Sequence, residues 1–87
     1  MLTQEKAEEI VRRFSPTTKV SVCGTSKEGI YLEKTNEIII SENWTVAGLL
    51  HEITHAILFL DSGRTGHDGV FADRFTKLVG IYFENNK

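Results

Sequence analysis

Along the first stretch of the chain, Ala7, Ile10, Val11 and Phe14 fall at i, i+3, i+4 and i+7 while charged residues occupy the other faces. That spacing predicts an amphipathic helix over residues 3–14. Thr3 stands at the N-cap position, Glu5 near the start and Arg12 and Arg13 near the end complement the helix dipole, and Pro16 prevents continuation. The period then shortens to two. "KVSVCG" alternates polar and apolar as a strand does and runs into a loop, "GTSKEG". "GIYLEKTNEIIIS" reads as two strands about a turn at Lys34, Thr35 and Asn36, a hairpin whose second strand is crowded with isoleucine. From about Thr45 to Leu60, Val46, Leu49, Leu50, Ile53, Ala56, Ile57, Phe59 and Leu60 cover most of a helix circumference, which marks a central helix. "DSGRTG" interrupts it. A last helix is predicted from near His67 or Asp68, with Phe71, Phe75, Leu78 and Tyr82 on one stripe. The order α-β-β-β-α-α places the chain in the α+β class, with an N-terminal helix, a three-stranded, mostly antiparallel sheet, a central helix and a C-terminal helix.

Composition narrows the function classes. The 87 residues correspond to a single domain, residues 1–87, with no repeat, low-complexity tract or linker. Ten Lys and Arg against twelve Asp and Glu give a net charge of -2, and the basic residues are scattered, which argues against a free-standing nucleic-acid binder. One cysteine, Cys23, excludes an internal disulfide and any cysteine-based zinc ribbon, and suits a reducing cytoplasm. The start "MLTQEKAEEI" has none of the features of a signal peptide, and no run of eighteen apolar residues occurs, so neither secretion nor membrane insertion is expected.

The chemistry sits in the central helix. "LLHEITHAILF" sets His51 and His55 four residues apart, one turn apart on one face, where both imidazoles can reach a single ion at roughly 2.0 to 2.1 Å. Glu52 projects about 100° round from His51 and is placed to reach a water rather than to complete the ligand pair. Two ligands and a general base on two turns of one rigid element are the reason H-E-x-x-H recurs in zinc peptidases. The competing reading is a pair of core histidines held by hydrogen bonds. Burying two imidazoles and a carboxylate in so apolar a helix would then cost several kcal/mol unless all were paired. Gly48 and Thr54 are expected to keep the helix surface near the histidines free of bulk. Catalytic zinc takes three protein ligands, and the remaining histidine, His67, follows the glycine-broken turn that folds the last helix back on the central one. Asp68 and Asp73 are the acidic alternatives, although Asp68 is better suited to cap the last helix or to orient a ligating imidazole.

With His67 included, "HEITHAILFLDSGRTGHDGVF" resembles the SprT-like zinc metallopeptidases, the group that includes the Spartan proteases. That family shows H-E-x-x-H, a helix tail, a glycine-containing loop and Gly-His-x-x-x-Phe, matched here by His51, Glu52, His55, Gly66, His67 and Phe71. The close match spans residues 51–71. The resemblance implies a small zincin-like domain that binds one zinc per chain through His51, His55 and His67, with Glu52 activating water. It also implies that an extended protein or peptide substrate pairs with a sheet edge, for which "NEIIIS" is the expected strand. Where the family often has Gly-Pro after the third histidine, this chain has Asp68 and Gly69. The extra zinc-binding or DNA-binding segments of members that act on DNA-bound proteins have no counterpart in these residues, so DNA association is suggested by resemblance alone and not by charge.

The expected function is therefore hydrolysis of peptide bonds, with Glu52 taking a proton from water and passing it to the leaving amine. Tyr31, Arg74 and Tyr82 are candidates to stabilise the oxyanion. Two alternatives remain: a non-catalytic interaction module stapled by zinc, and a small nucleic-acid-associated accessory domain. Trp44, just before the central helix, would pack at its entrance, line a cleft or stack on a base.

Overall fold

The computed structural model describes residues 2–24 and 29–85. Helix α1 spans Gln4–Phe14. Thr3 caps it, its Oγ1 accepting from the Lys6 amide at 3.1 Å, and Ala7, Ile10 and Val11 form its buried face. Three strands follow, β1 (Lys19–Val22), β2 (Ile30–Leu32) and β3 (Glu37–Ile40), and then helices α2 (Val46–Ser62) and α3 (Gly69–Asn85). The predicted α+β order is present among the described residues. The loop expected over residues 24–29 lies for the most part outside them.

The sheet departs from the mostly antiparallel arrangement expected from sequence. It is mixed, with strand order β1-β3-β2, β2 antiparallel to β3 and β1 parallel to it. The hairpin was legible, but the position of β3 was not: "NEIIIS" is the central strand and not an edge. The physical reason lies in its side chains, since Ile38 and Ile40 are 0 % exposed and the central position buries them most fully. The hairpin fills one side of β3, and β1 takes the other, bringing Val20 onto the same face as Ile38. The edges of the sheet are therefore β1 and β2.

These two edges differ. The side-chain amide of Gln4 in α1 lies against β1, donating to the Val20 carbonyl and accepting from the Val22 amide, both at 2.8 Å, and so stands in for a neighbouring strand. Asn36, in the left-handed region at φ 53, fastens the other end of the sheet. Its Oδ1 accepts from Thr18 and from the Tyr31 hydroxyl, and its Nδ2 donates to the Thr17 carbonyl. Asparagine tolerates this conformation better than most residues.

The helices cover the sheet face that carries Val20, Ile38 and Ile40. There Leu49, Leu50 and Ile53 of α2, Ile10 and Val11 of α1, and Leu78 and Tyr82 of α3 make one continuous core. Helix α2 is the central element expected, with Leu49, Leu50, Ile53, Thr54 and Ala56 all 0 % exposed. It begins at the cap of Thr45, whose Oγ1 accepts from the Gly48 amide. It ends at Gly63, whose amide donates to the Phe59 carbonyl at 2.8 Å and whose φ of 71° turns the chain so that the Arg64 amide reaches back to the Leu58 carbonyl at 3.4 Å. The helix thus takes up Asp61 and Ser62, two residues of the predicted loop.

Candidate metal centre

Helix α2 carries His51, Glu52 and His55, and the short loop to α3 brings His67 back over the two histidines. The loop is held at both ends. Gly63 closes α2, and Asp68 opens α3, its Oδ1 accepting from the Phe71 amide at 3.1 Å while its Oδ2 pairs with Arg64 at 3.1 Å. Asp68 is thus the helix cap the sequence suggested, and it stands next to His67 in the chain.

The three histidines converge. His67 Nε2 lies 3.1 Å from His51 Nε2 and 3.0 Å from His55 Nε2. The ligand atoms of all three residues lie within 4.8 Å of one another. Hydrogen bonding among the rings does not account for this. Each ring nitrogen has one in-plane site, either an N–H or a lone pair, so His67 Nε2 can form a good bond to one neighbour and not to both. Nitrogens about 3 Å apart do match the spacing of ligands sharing one transition metal at roughly 2.0 to 2.1 Å. Three imidazoles form a donor set that suits zinc, copper, nickel or iron. The residues present therefore fit a metal ion, and among the described residues no fourth histidine, cysteine or carboxylate joins the group. Asp68 is committed to its cap and to Arg64, and Asp73 lies exposed on α3. Neither takes the third position.

Phe71 forms the floor. Its ring centroid lies 4.9 Å from that of His51, 4.6 Å from His55 and 4.8 Å from His67, and Phe75 stands 5.7 Å from His51. This apolar backing shapes the electrostatics. Burial, and then the neighbouring His67, lower the pKa of His51, while burial, and then His51 and His67, lower that of His55 to about 4. Both rings are therefore neutral near pH 7, with lone pairs available for a metal.

Glu52 is only 7 % exposed, and its carboxylate has no hydrogen-bond or ion-pair partner among the described residues. Burial raises its pKa. It stands between two clefts. One, of about 190 Å³, is bounded by β2 through Ile30 and Tyr31 and by Glu52, His55, Phe59 and Arg64. The other, of about 330 Å³, lies on the His51 side against Trp44 and Phe75.

The remaining candidates resolve differently. The Tyr31 hydroxyl donates to Asn36 Oδ1 at 2.8 Å, Tyr82 belongs to the core, and Arg74 is half-buried on α3. Of the three, Tyr31 alone lines a cleft that contains Glu52. Gly48 and Thr54 do not clear space for the histidines. Thr54 is buried, its hydroxyl donating to the Leu50 carbonyl at 2.7 Å, and Gly48 receives the indole of Trp44. Arg64, a cation beside His55, escaped sequence reasoning because its position depends on the ion pair with Asp68. The contact of Phe71 with all three rings was signalled only by its place four residues after His67. Comparison of the chain with protein-family models, curated proteins and solved structures finds no match.

Proposed function

We propose that the protein is a zinc-dependent peptidase of the zincin kind, similar to the SprT-like enzymes. The observation that carries this reading is the meeting of three imidazoles, with no fourth protein ligand among the described residues, beside a largely buried carboxylate that has no partner among them. A structural zinc site is normally closed by four protein ligands, whereas a catalytic one keeps a position open.

His51, His55 and His67 would hold the ion. When bound, zinc supplies Lewis-acid polarisation of a carbonyl and brings the pKa of water down to about 7. The rest falls to the chain. Glu52 takes the proton of the attacking water and returns it to the leaving amine. Its raised pKa favours the first step, because a carboxylate whose pKa is moved toward neutrality is the stronger base and takes the water's proton more readily. Phe71 backs the histidines and excludes water from behind them. An extended substrate would lie along β2, which borders the cleft containing Glu52 and His55. Main-chain pairing there recognises a peptide while reading its side chains weakly. The Gln4 amide occupies the opposite edge and leaves β2 as the edge for a substrate.

The substrate class is therefore protein or peptide. Scattered basic residues and a net charge of -2 give no support to a DNA-binding role. A single, exposed Cys23 accords with a reducing, cytoplasmic setting. No helix among the described residues is long and apolar enough to cross a membrane.

The test is metal analysis of protein purified without a histidine tag, followed by an assay on an unfolded protein substrate. One zinc per chain with hydrolysis that stops on chelation and returns with zinc is the expected result. Stoichiometric zinc with no hydrolysis would leave a zinc-stapled interaction module.

A further inference from the structure

We infer that the cleft on the His51 side is a specificity pocket that takes one large apolar side chain next to the scissile bond. The inference rests on the peptidase reading above and adds a substrate preference to it.

The cleft is lined by Trp44, Ala47, Gly48 and Phe75 together with His51 and Glu52 of the metal centre. Its titratable side chains are thus those of the centre itself, and the rest of its lining is two aromatic rings, a methyl group and a glycine. At about 330 Å³ it falls at the small end of ligand pockets and suits a side chain better than a whole cofactor. The cleft on the other side of Glu52 is different in kind, with Glu33 and Arg64 in its lining. A peptide crossing Glu52 would meet an apolar pocket on one side and a charged one on the other.

The wall is built to stay in place. A Cβ at position 48 would overlap the Trp44 indole, so the ring rests directly on the α2 backbone. A Cβ at Gly29 would likewise come within 3.2 Å of Trp44 Nε1. That nitrogen is buried and has no hydrogen-bond partner among the described residues, so among them packing holds the ring. Ala47 is exposed at the rim, one turn before His51, where a larger residue would fill the cleft without displacing core.

Two measurements on the zinc-loaded full chain test this. In the first, a mixture of peptides is digested and the cleaved bonds are identified by mass spectrometry. Leu, Met or Phe should be enriched over Gly by about tenfold or more at one of the two positions flanking the bond, and Ala47→Phe should erase that enrichment. Cleavage without enrichment, or enrichment unchanged in the variant, overturns the inference. In the second, the indole N–H resonance of Trp44, the one tryptophan of the chain, is followed during titration with N-acetyl-leucinamide or N-acetyl-glycinamide. A saturable shift with the leucine compound alone, lost in Ala47→Phe, is expected, and its absence overturns the pocket. This readout needs no turnover. A shift without any peptide cleavage would sink the peptidase reading while leaving an apolar pocket beside the centre.

Discussion

Glu52 and His67 are the residues on which the chemistry turns, and they reach the site by different routes. Glu52 follows from helix geometry, since its neighbour His51 and the i+4 histidine fix which face it leaves. His67 depends on a loop whose path no local periodicity specifies. In sequence it could be placed only by its being the last histidine and by resemblance to a family spacing, and the 3.0 and 3.1 Å contacts with His55 and His51 supply the geometry. Substitution His67→Ala should weaken zinc binding by more than the roughly 10- to 100-fold that loss of an outer hydrogen-bond partner costs. The same change should leave the chelator-treated protein almost as stable as wild type, because His67 is exposed. Zinc titration and thermal melts of both proteins, with zinc and with chelator, check this. Equal zinc affinity would remove His67 from the ligand set.

At the scale of elements, the helices and the hairpin were legible because periodicity, caps and turn residues are local signals. Strand order was not, because it depends on which strand gains most from burial on a sheet formed by segments distant in sequence. Two local contacts carry consequences that the sequence did not announce. Asp68 ties the start of α3 to Arg64 and so holds the loop that bears His67. Asp68→Ala should cost about 1 kcal/mol of stability and also reduce zinc affinity, whereas Asp68→Asn should retain the cap and most of the affinity. An alanine variant with full affinity would show that the loop needs no such clamp. The second contact is that of Trp44 on Gly48. Alanine is the better helix former by roughly 1 kcal/mol, yet Gly48→Ala forces the indole aside. Overpacking of this kind costs about 1 to 3 kcal/mol, so a net loss of stability in denaturant melts is expected. A gain would mean that Trp44 moves without penalty.

For the molecule as a whole, the metal couples function to stability. An 87-residue chain has a modest core, and an ion that binds only the folded state adds RT ln(1 + [L]/Kd), about 2.7 kcal/mol when free zinc is a hundred times Kd. Chelation should therefore lower the melting temperature by several degrees while the helices and sheet persist at room temperature, which circular dichroism would record. Collapse of the fold on chelation would point instead to a structural metal. The central claim is that Glu52 is the base of a peptide-hydrolysing centre and not merely a carboxylate stranded in a core. Its most direct test is the rate of peptide hydrolysis by wild type and Glu52→Gln, each loaded with one equivalent of zinc. The amide keeps the size of the side chain but cannot take the proton, so equal zinc content, near-equal melting temperature and a rate lower by about 10²- to 10⁴-fold are predicted. Equal rates in the two proteins would contradict the account.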